Sequence, residues 1–116
     1  MGSYEVLLRL VQKEARGPFL VAIDGRCASG KTTLAGKLRS VLECIIEGSY
    51  SCHPKLRENY DLCVFVDISP DIQKIRLMER DPSTFEAFQT VWVPREEHYF
   101  DACQVRSHCD LVIWGG

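Results

Sequence analysis

The sequence has no pair of cysteines in the C-x-x-C spacing, although it contains six cysteines, at positions 27, 44, 52, 63, 103 and 109. Cys52 with His53, or His108 with Cys103 and Cys109, could begin a zinc site, but partners at the usual intervals are missing. Several cysteines fall within predicted strands or helices, where a free thiol packs as a small hydrophobic group. We therefore expect reduced, buried thiols rather than disulfides or a zinc site.

The chain also lacks a long apolar run and a block of basic residues. No run approaches the ~20 residues that span a bilayer, and Glu5 and Arg9 interrupt the apolar N-terminus, unlike a signal peptide. A net charge of −2 creates no positive field for nucleic acid. With 116 residues and no repeat or low-complexity segment, we expect one cytoplasmic domain that binds neither nucleic acid nor membrane.

What the sequence does contain is an alternation of apolar runs and helical spacing. Four runs are typical of strands: FLVAID (19–24), CIIE (44–47), LCVFVD (62–67) and DLVIW (110–114). The first is apolar at nearly every position, as in a strand buried on both faces of a parallel sheet. The sequence therefore predicts an α/β fold with about four parallel strands flanked by helices. An N-terminal helix would occupy 1–17 and the core of the domain 18–116.

Helices are predicted between these strands. Apolar positions recur at helical intervals over 3–16 and 31–42. Ser69-Pro70-Asp71 has the capping hydroxyl, the first-turn proline and the early carboxylate of a helix start, and Asp81-Pro82-Ser83 repeats the pattern. Pro94 is expected to divide this last helix from a final one. Ile72, Ile75 and Met78 mark the predicted buried side of the helix that starts at Ser69. The next helix has Phe85, Phe88 and Trp92 at helical spacing, and the final one carries Tyr99, Phe100 and Cys103.

The stretch IDGRCASGKTTLA, from position 23, contains the pattern G-x-x-x-x-G-K-[ST]. Its two glycines allow a tight turn whose N–H groups point into one hollow, and the following helix adds the positive end of its dipole. The strand before it and the helix after it are the context that such a phosphate-binding loop requires, so we expect the fold to be of the P-loop NTPase type, with 18–116 as the nucleotide-binding core. Lys31 is expected to reach the β and γ phosphates, and Arg26 to have a solvated side chain. The predicted nucleotide-binding residues are Gly25, Arg26, Cys27, Ala28, Ser29, Gly30, Lys31, Thr32 and Thr33.

A magnesium nucleotide needs oxygen ligands near this loop. The Thr32 hydroxyl is the predicted metal ligand, and an acid should lie opposite it. Glu47 and Asp67 each end an apolar strand and both qualify. We favour Glu47 and leave Asp67 open.

Two arginines on a later helix, Arg76 and Arg80, are four residues apart and share a face. Arginines of this kind can stabilise the charge that develops during phosphoryl transfer. The spacing alone favours the alternative, a merely solvated helix face with Glu79 nearby. Arg80 is retained as a catalytic candidate beside Lys31 and Glu47.

Four segments together resemble the bacterial uridine kinase-like family of P-loop kinases: AIDGRCASGKTTLA (22–35), IIEGSYSCHP (45–54), YDLCVFVDISP (60–70) and WVPREEHYF (92–100). The resemblance covers nearly all of residues 18–114. It implies a kinase that uses ATP and Mg²⁺ to phosphorylate a nucleoside or similar small hydroxyl compound. It also implies that Glu47 lies in the active site.

One block of the family pattern is missing between about Cys44 and Ile45. In the family, a strand there ends in an aspartate-rich turn that supplies the base for the acceptor hydroxyl, followed by a segment that shapes the acceptor pocket. Without it, the strand from Ile45 would lie beside the first strand as an exposed edge, which could pair with a second copy of the chain. We expect phosphate binding to survive better than transfer. The alternatives are a non-catalytic nucleotide-binding module, another small-molecule kinase or a slow ATPase.

Overall fold

Four parallel strands form one sheet in the computed structural model, which describes residues 20–39 and 45–115 and the single helical positions Glu5 and Arg9. The strands are β1 (Val21–Gly25), β2 (Ile45–Glu47), β3 (Leu62–Asp67) and β4 (Leu111–Trp114). Their order is β2-β1-β3-β4, so β2 pairs with β1 at one edge. The predicted α/β class and parallel sheet are confirmed, as is the position of β2 beside β1.

Both faces of the sheet are covered, which explains why the strand sequences are apolar at successive positions. Side chains of a strand alternate between faces. Val21, Ile23, Val64 and Val66 pack on one face with the helix that follows β1. On the other face the intervening positions of the same strands pack with the last helices, and the buried residues there are Ala22, Cys52, Cys63, Phe65, Tyr99, Phe100 and Val105.

The helices follow the strands as α/β connections. Helix α1 (Lys31–Leu38) follows β1, and α2 (Pro70–Arg80) follows β3. The Ser69 hydroxyl accepts a hydrogen bond from the Ile72 N–H at 3.3 Å, so the predicted cap of α2 is confirmed. The remaining elements are a 3₁₀ turn at Arg57–Asn59, another at Pro82–Thr84, α3 (Phe85–Ala87), a π-helical stretch (Phe88–Trp92), α4 (Val93–Cys103) and α5 (Val105–His108).

The predicted buried face of α2 is wrong. Ile75 and Met78 are 57% and 44% exposed, whereas Gln73 and Leu77 are buried. The reason is that this helix docks on the glycine loop, where the Gln73 side chain donates a hydrogen bond to the Cys27 carbonyl at 2.9 Å. A polar contact therefore decides which side faces inward.

The predicted division at Pro94 is confirmed in part, because a separate α-helix, α4, begins at Val93 and carries Tyr99, Phe100 and Cys103, but the chain before it is also helical. Helical structure runs from Phe85 through the π-helical stretch into α4, with Pro94 in the first turn of α4. Proline has no N–H to continue the α-helical ladder. The wider turn accommodates it, since the Val93 N–H reaches the carbonyl of Phe88, five residues back.

Several predictions fall partly or wholly outside the described residues. The helix predicted over 3–16 is described only at Glu5 and Arg9. The part of the helix predicted over 31–42 that follows Arg39 lies outside the described residues. Among the described cysteines all are free, and Cys52 and Cys63 are buried, as expected. No helix within 20–39 or 45–115 has the length and apolar character needed to cross a bilayer.

Candidate nucleotide-binding site

The loop between β1 and α1 begins at a glycine that no other residue could replace without displacement. Gly25 has φ +139°, and a Cβ built there would lie 2.1 Å from the carbonyl oxygen of Val66 on the neighbouring strand. Gly30, which precedes α1, has φ +106° and open space around it. Both glycines of the pattern therefore serve the backbone path, and Gly25 also permits the close approach of β3.

Successive carbonyl groups of this loop are each held by a donor. The Lys31 ammonium donates to the carbonyls of Gly25 and Arg26, at 3.0 and 2.8 Å. Gln73 holds the carbonyl of Cys27. The Arg76 guanidinium holds the Ala28 carbonyl at 3.0 Å and the Gly115 carbonyl at 2.7 Å. Helix α2 is thus a brace that fixes the loop from outside.

With these carbonyls engaged, several amides of the loop are left available. The N–H groups of Ala28 and Gly30 make no hydrogen bond to a described residue. Those of Lys31, Thr32 and Thr33 lie in the first turn of α1, where a helix offers no internal partner. Such amides at the positive end of a helix dipole are the donors that phosphate oxygens bind.

Lys31 lies half-buried beneath the loop. Burial lowers its pKa, while the nearby acids Glu96, Asp24 and Glu47 act in the opposite direction. Its contacts to loop carbonyls are ones that a polyphosphate could replace, because an ammonium group gains more from a negatively charged oxygen than from a carbonyl.

Thr32 and Glu47 lie together at the carboxyl end of the sheet. The Thr32 hydroxyl donates to a carboxylate oxygen of Glu47 at 2.6 Å. Asp67 lies elsewhere, because its carboxylate accepts from Arg26 at 2.7 Å and from Arg106 at 3.1 Å. Of the two acids that the sequence left open, the structure brings Glu47 to Thr32.

Arg26 does not have the solvated side chain that we expected. Besides its contact with Asp67, its guanidinium forms an ion pair with Glu97 and lies over the ring of Phe100, 5.3 Å from the ring centre. The side chain is 21% exposed. These partners come from β3 and α4, whose packing the local sequence around the loop does not reveal.

A cleft of about 660 Å³ opens on one side of the loop, which we call the cationic cleft. Arg76 and Arg80 both line it, so the shared helix face predicted from their spacing points toward the loop. Arg80 is exposed and makes no hydrogen bond or ion pair to another described residue. The lining is Cys27–Leu34, Lys37, Val66, Arg76, Arg80 and Ile113–Gly115, with four basic side chains and no acid.

A second cleft, of about 230 Å³, also borders the loop, and we call it the aromatic cleft. Its lining is Asp24, Gly25, Cys27, Ser49, Tyr50, Phe88, Trp92, Glu96, Tyr99 and Phe100. Five of these residues are aromatic, two are acidic and none is basic. The rings of Tyr50 and Tyr99 meet edge to face, with their centres 4.5 Å apart.

The two acids of the aromatic cleft have different surroundings. Asp24 is fully buried, and its carboxylate accepts from the Tyr99 hydroxyl at 2.6 Å and from the amides of Gly25 and Cys52. Glu96 is 7% exposed, and one of its oxygens accepts from the Cys27 amide of the loop at 2.7 Å. The other oxygen of Glu96, Oε2, is buried and has no hydrogen-bond partner among the described residues.

Burial changes the proton affinity of groups around this cleft. It raises the pKa of Glu96 above its usual value of 4.5, against the opposing effects of the Cys27 amide and thiol and of Lys31 and Arg26. It also raises the pKa of the Cys27 thiol to about 11, with the Glu96 charge as a second cause. Cys27 is therefore a protonated thiol at neutral pH and a poor nucleophile.

Sequence reasoning assigned no role to Glu96, Gln73 or Asp24. One signal was available for Glu96: it lies three, four and seven positions before Tyr99, Phe100 and Cys103, on the face of α4 that packs inward. Burying a charged carboxylate costs free energy unless it is paired, so an acid on a buried helix face indicates a hydrogen-bond partner or a functional role.

We compared the chain with models of protein families, with curated proteins and with solved structures, and none of the three comparisons gave a match.

Proposed function

We propose that this protein binds the magnesium complex of ATP in the cationic cleft and transfers the terminal phosphoryl group to a small hydroxyl compound. The observation that carries the nucleotide part is the braced loop. Its carbonyls are held by Lys31, Gln73 and Arg76, while the amides at the start of α1 remain available for phosphate oxygens. The resemblance of the sequence to uridine kinase-like proteins supports the phosphotransferase part.

Each part of the cationic cleft has a role in this proposal. The amides of Ala28 and Gly30–Thr33 bind the phosphate oxygens, and Lys31 exchanges its carbonyl partners for them. Arg80 contributes positive charge at the rim. The cleft is large enough for a nucleotide, since its volume falls within the roughly 300–1,000 Å³ of ordinary ligand sites.

The residues near Thr32 fit a magnesium ion. Mg²⁺ prefers oxygen ligands and usually keeps several waters, and the Thr32 hydroxyl and Glu47 carboxylate supply two adjacent oxygens. Thr32 would hold the ion directly, and Glu47 would hold it or orient its waters. When bound with the nucleotide, the ion neutralises charge on the phosphate oxygens.

The test of nucleotide binding is calorimetric titration of the full chain with ATP in excess Mg²⁺. We expect saturable binding to the parent and a loss of about 10- to 100-fold in affinity for Lys31→Ala, the effect of removing a charged hydrogen-bond donor worth roughly 1.5–3 kcal/mol. Lys74→Ala is the matched control, because Lys74 is exposed on α2 and does not line the cleft. A parent that does not bind, or a Lys31→Ala variant that binds equally well, would exclude the proposal.

A nucleotide-binding module without transfer is the second candidate. It is favoured by the short β2 strand at the sheet edge, which is where the resemblance expects a further strand and its catalytic aspartate. Release of ADP that depends on an added hydroxyl compound separates the two candidates, because a binding module would hold ATP without turning it over.

A further inference from the structure

The aromatic cleft and the unpartnered oxygen of Glu96 are the features that nucleotide binding leaves unexplained. The aromatic cleft adjoins the loop, and Cys27 lines both clefts. Glu96 contacts the loop through the Cys27 amide and lines the aromatic cleft at the same time. A molecule in the aromatic cleft would therefore lie next to the phosphate-binding loop.

We propose that the aromatic cleft holds the phosphoryl acceptor, a small compound with a flat ring and a hydroxyl group, and that Glu96 Oε2 accepts the proton of that hydroxyl. This inference rests on the proposed function, because it needs a nucleoside triphosphate in the neighbouring cleft. Glu96 would supply the base that the missing aspartate turn would otherwise provide.

The shape of the cleft selects for a flat ring. Tyr50, Phe88, Trp92, Tyr99 and Phe100 present ring faces and edges, which bind flat apolar groups by stacking and edge contacts. Phe88 and Trp92, the first and last residues of the π-helical stretch, line the same cleft as Glu96. A volume of about 230 Å³ is below the usual range for drug-sized ligands, so the acceptor must be small.

The charge of the cleft selects against a phosphorylated or acidic ligand. Its lining includes Asp24 and Glu96 and no basic side chain. Asp24 already has its oxygens engaged by Tyr99, Gly25 and Cys52. Glu96 Oε2 is the buried acceptor still without a donor among the described residues, and a hydroxyl group would satisfy it.

The transfer step then balances. The acceptor oxygen forms a bond to the terminal phosphorus of ATP as the bond from that phosphorus to the bridging oxygen breaks, and ADP leaves with the bonding electron pair. The acceptor proton moves to Glu96, which later releases it to water. Burial favours this role because a carboxylate with a raised pKa is a stronger base than an exposed one.

Trp92 provides a direct measurement of occupancy. The chain has two tryptophans, so Trp114→Phe leaves Trp92 in the cleft as the single tryptophan reporter. Because Trp114 lines the cationic cleft, the fluorescence of this variant is titrated with benzyl alcohol, uridine and adenosine in the absence of nucleotide, and phosphorylation is measured with the parent chain. We expect a saturable change with at least one of them and phosphorylation of that compound in the presence of ATP.

The Glu96→Gln variant then tests the role of the carboxylate. Glu86→Gln is the matched control, because Glu86 is an exposed acid on α3 that lines neither cleft. We expect Glu96→Gln to keep Mg-ATP affinity within about twofold and to lose turnover by about 10²–10⁴-fold, the usual contribution of a general base. Glu86→Gln should keep both. Retained Mg-ATP affinity also shows that Glu96→Gln is folded.

The outcomes separate this inference from the proposed function. If the parent does not bind Mg-ATP, the proposed function fails, and the Trp92 titration still tests the cleft. No saturable change with any of the three compounds overturns the acceptor site. Turnover by Glu96→Gln at a rate near that of the parent, or binding of a compound without turnover in the ATP-bound parent, overturns the role of Glu96.

Discussion

The two clefts border the same loop but differ in the charge of the residues that line them. The cationic cleft has four basic side chains and no acid, whereas the smaller aromatic cleft has two acids, five aromatic rings and no base. A loop of backbone amides is neutral, so the neighbouring helices decide which charge each cleft attracts. Helix α2 supplies Arg76 and Arg80 to the cationic cleft, and α4 supplies Glu96 to the aromatic cleft. This difference in charge is the basis of our proposal that the two clefts bind chemically different ligands.

The largest expected effect comes from Gly25→Ala, which would disturb both clefts together. Its Cβ would overlap the Val66 backbone at 2.1 Å in a conformation that alanine rarely adopts, so we expect a loss of about 3 kcal/mol or more in unfolding free energy. Gly36→Ala is the matched control, because Gly36 is exposed within α1 and a Cβ there meets nothing within 4 Å. It should gain about 0.5–1 kcal/mol. Chemical denaturation measures both, and equal stabilities would contradict the packing described at Gly25.

Glu47→Gln should disturb the cationic cleft alone. If Glu47 holds or orients the metal, we expect the Mg²⁺ concentration needed for half-maximal ATP binding to rise by about 10- to 100-fold, as for other residues that support a metal ligand. Binding of the compounds to the aromatic cleft in the absence of ATP should not change. Glu58→Gln, in the 3₁₀ turn at Arg57–Asn59, is the control. An unchanged Mg²⁺ dependence would mean that Glu47 merely ends β2.

The pH dependence of stability tests the raised pKa of Glu96 in the aromatic cleft. Burial raises the pKa of Glu96 in the folded protein, so the charged form of Glu96 lowers the free energy of unfolding. This destabilisation is absent below the unfolded pKa near 4.5, and it develops as the pH rises through the folded pKa. Glu96→Gln removes this contribution. We therefore expect the variant to melt at a higher temperature than the parent above the folded pKa, with the difference decreasing on acidification. A difference independent of pH would argue against a raised pKa.

The smallest expected effect is at the rim of the cationic cleft. Arg80 is exposed, so its attraction for phosphate is screened by water and salt. We expect Arg80→Ala to weaken ATP binding by no more than about fivefold, with the difference disappearing in high salt. Arg95→Ala, on the outward side of α4, is the comparison. A large effect at high salt would mean that Arg80 closes over the nucleotide.

Much of the fold follows from local patterns. The strand predicted over 62–67 coincides with β3, and the other strands agree within two residues at each end. The start of α1 at Lys31 and the cap at Ser69 were predicted from residues a few positions apart. These features depend on apolar spacing and capping chemistry, which a single sequence displays directly.

The predictions failed where distant elements meet. Ile75 and Met78 look like a buried helix face, but the contact of Gln73 with the loop turns α2 away from them. Arg26 looks like a solvated loop residue, but Asp67 and Glu97 enclose it. Periodicity ranks side chains by polarity alone and does not account for a polar partner 40 or more residues away.

By itself, the sequence determined an α/β sheet and a glycine loop between its first strand and the next helix, because strand alternation, helix caps and glycine geometry act over a few residues. Only the tertiary structure decided that Glu47 rather than Asp67 lies beside Thr32, and that Glu96 lies against the loop with one oxygen unsatisfied. These choices depend on how strands align and helices dock across 15 to 69 positions of chain. Burial, which sets the chemistry of Glu96, exists only after that packing has formed.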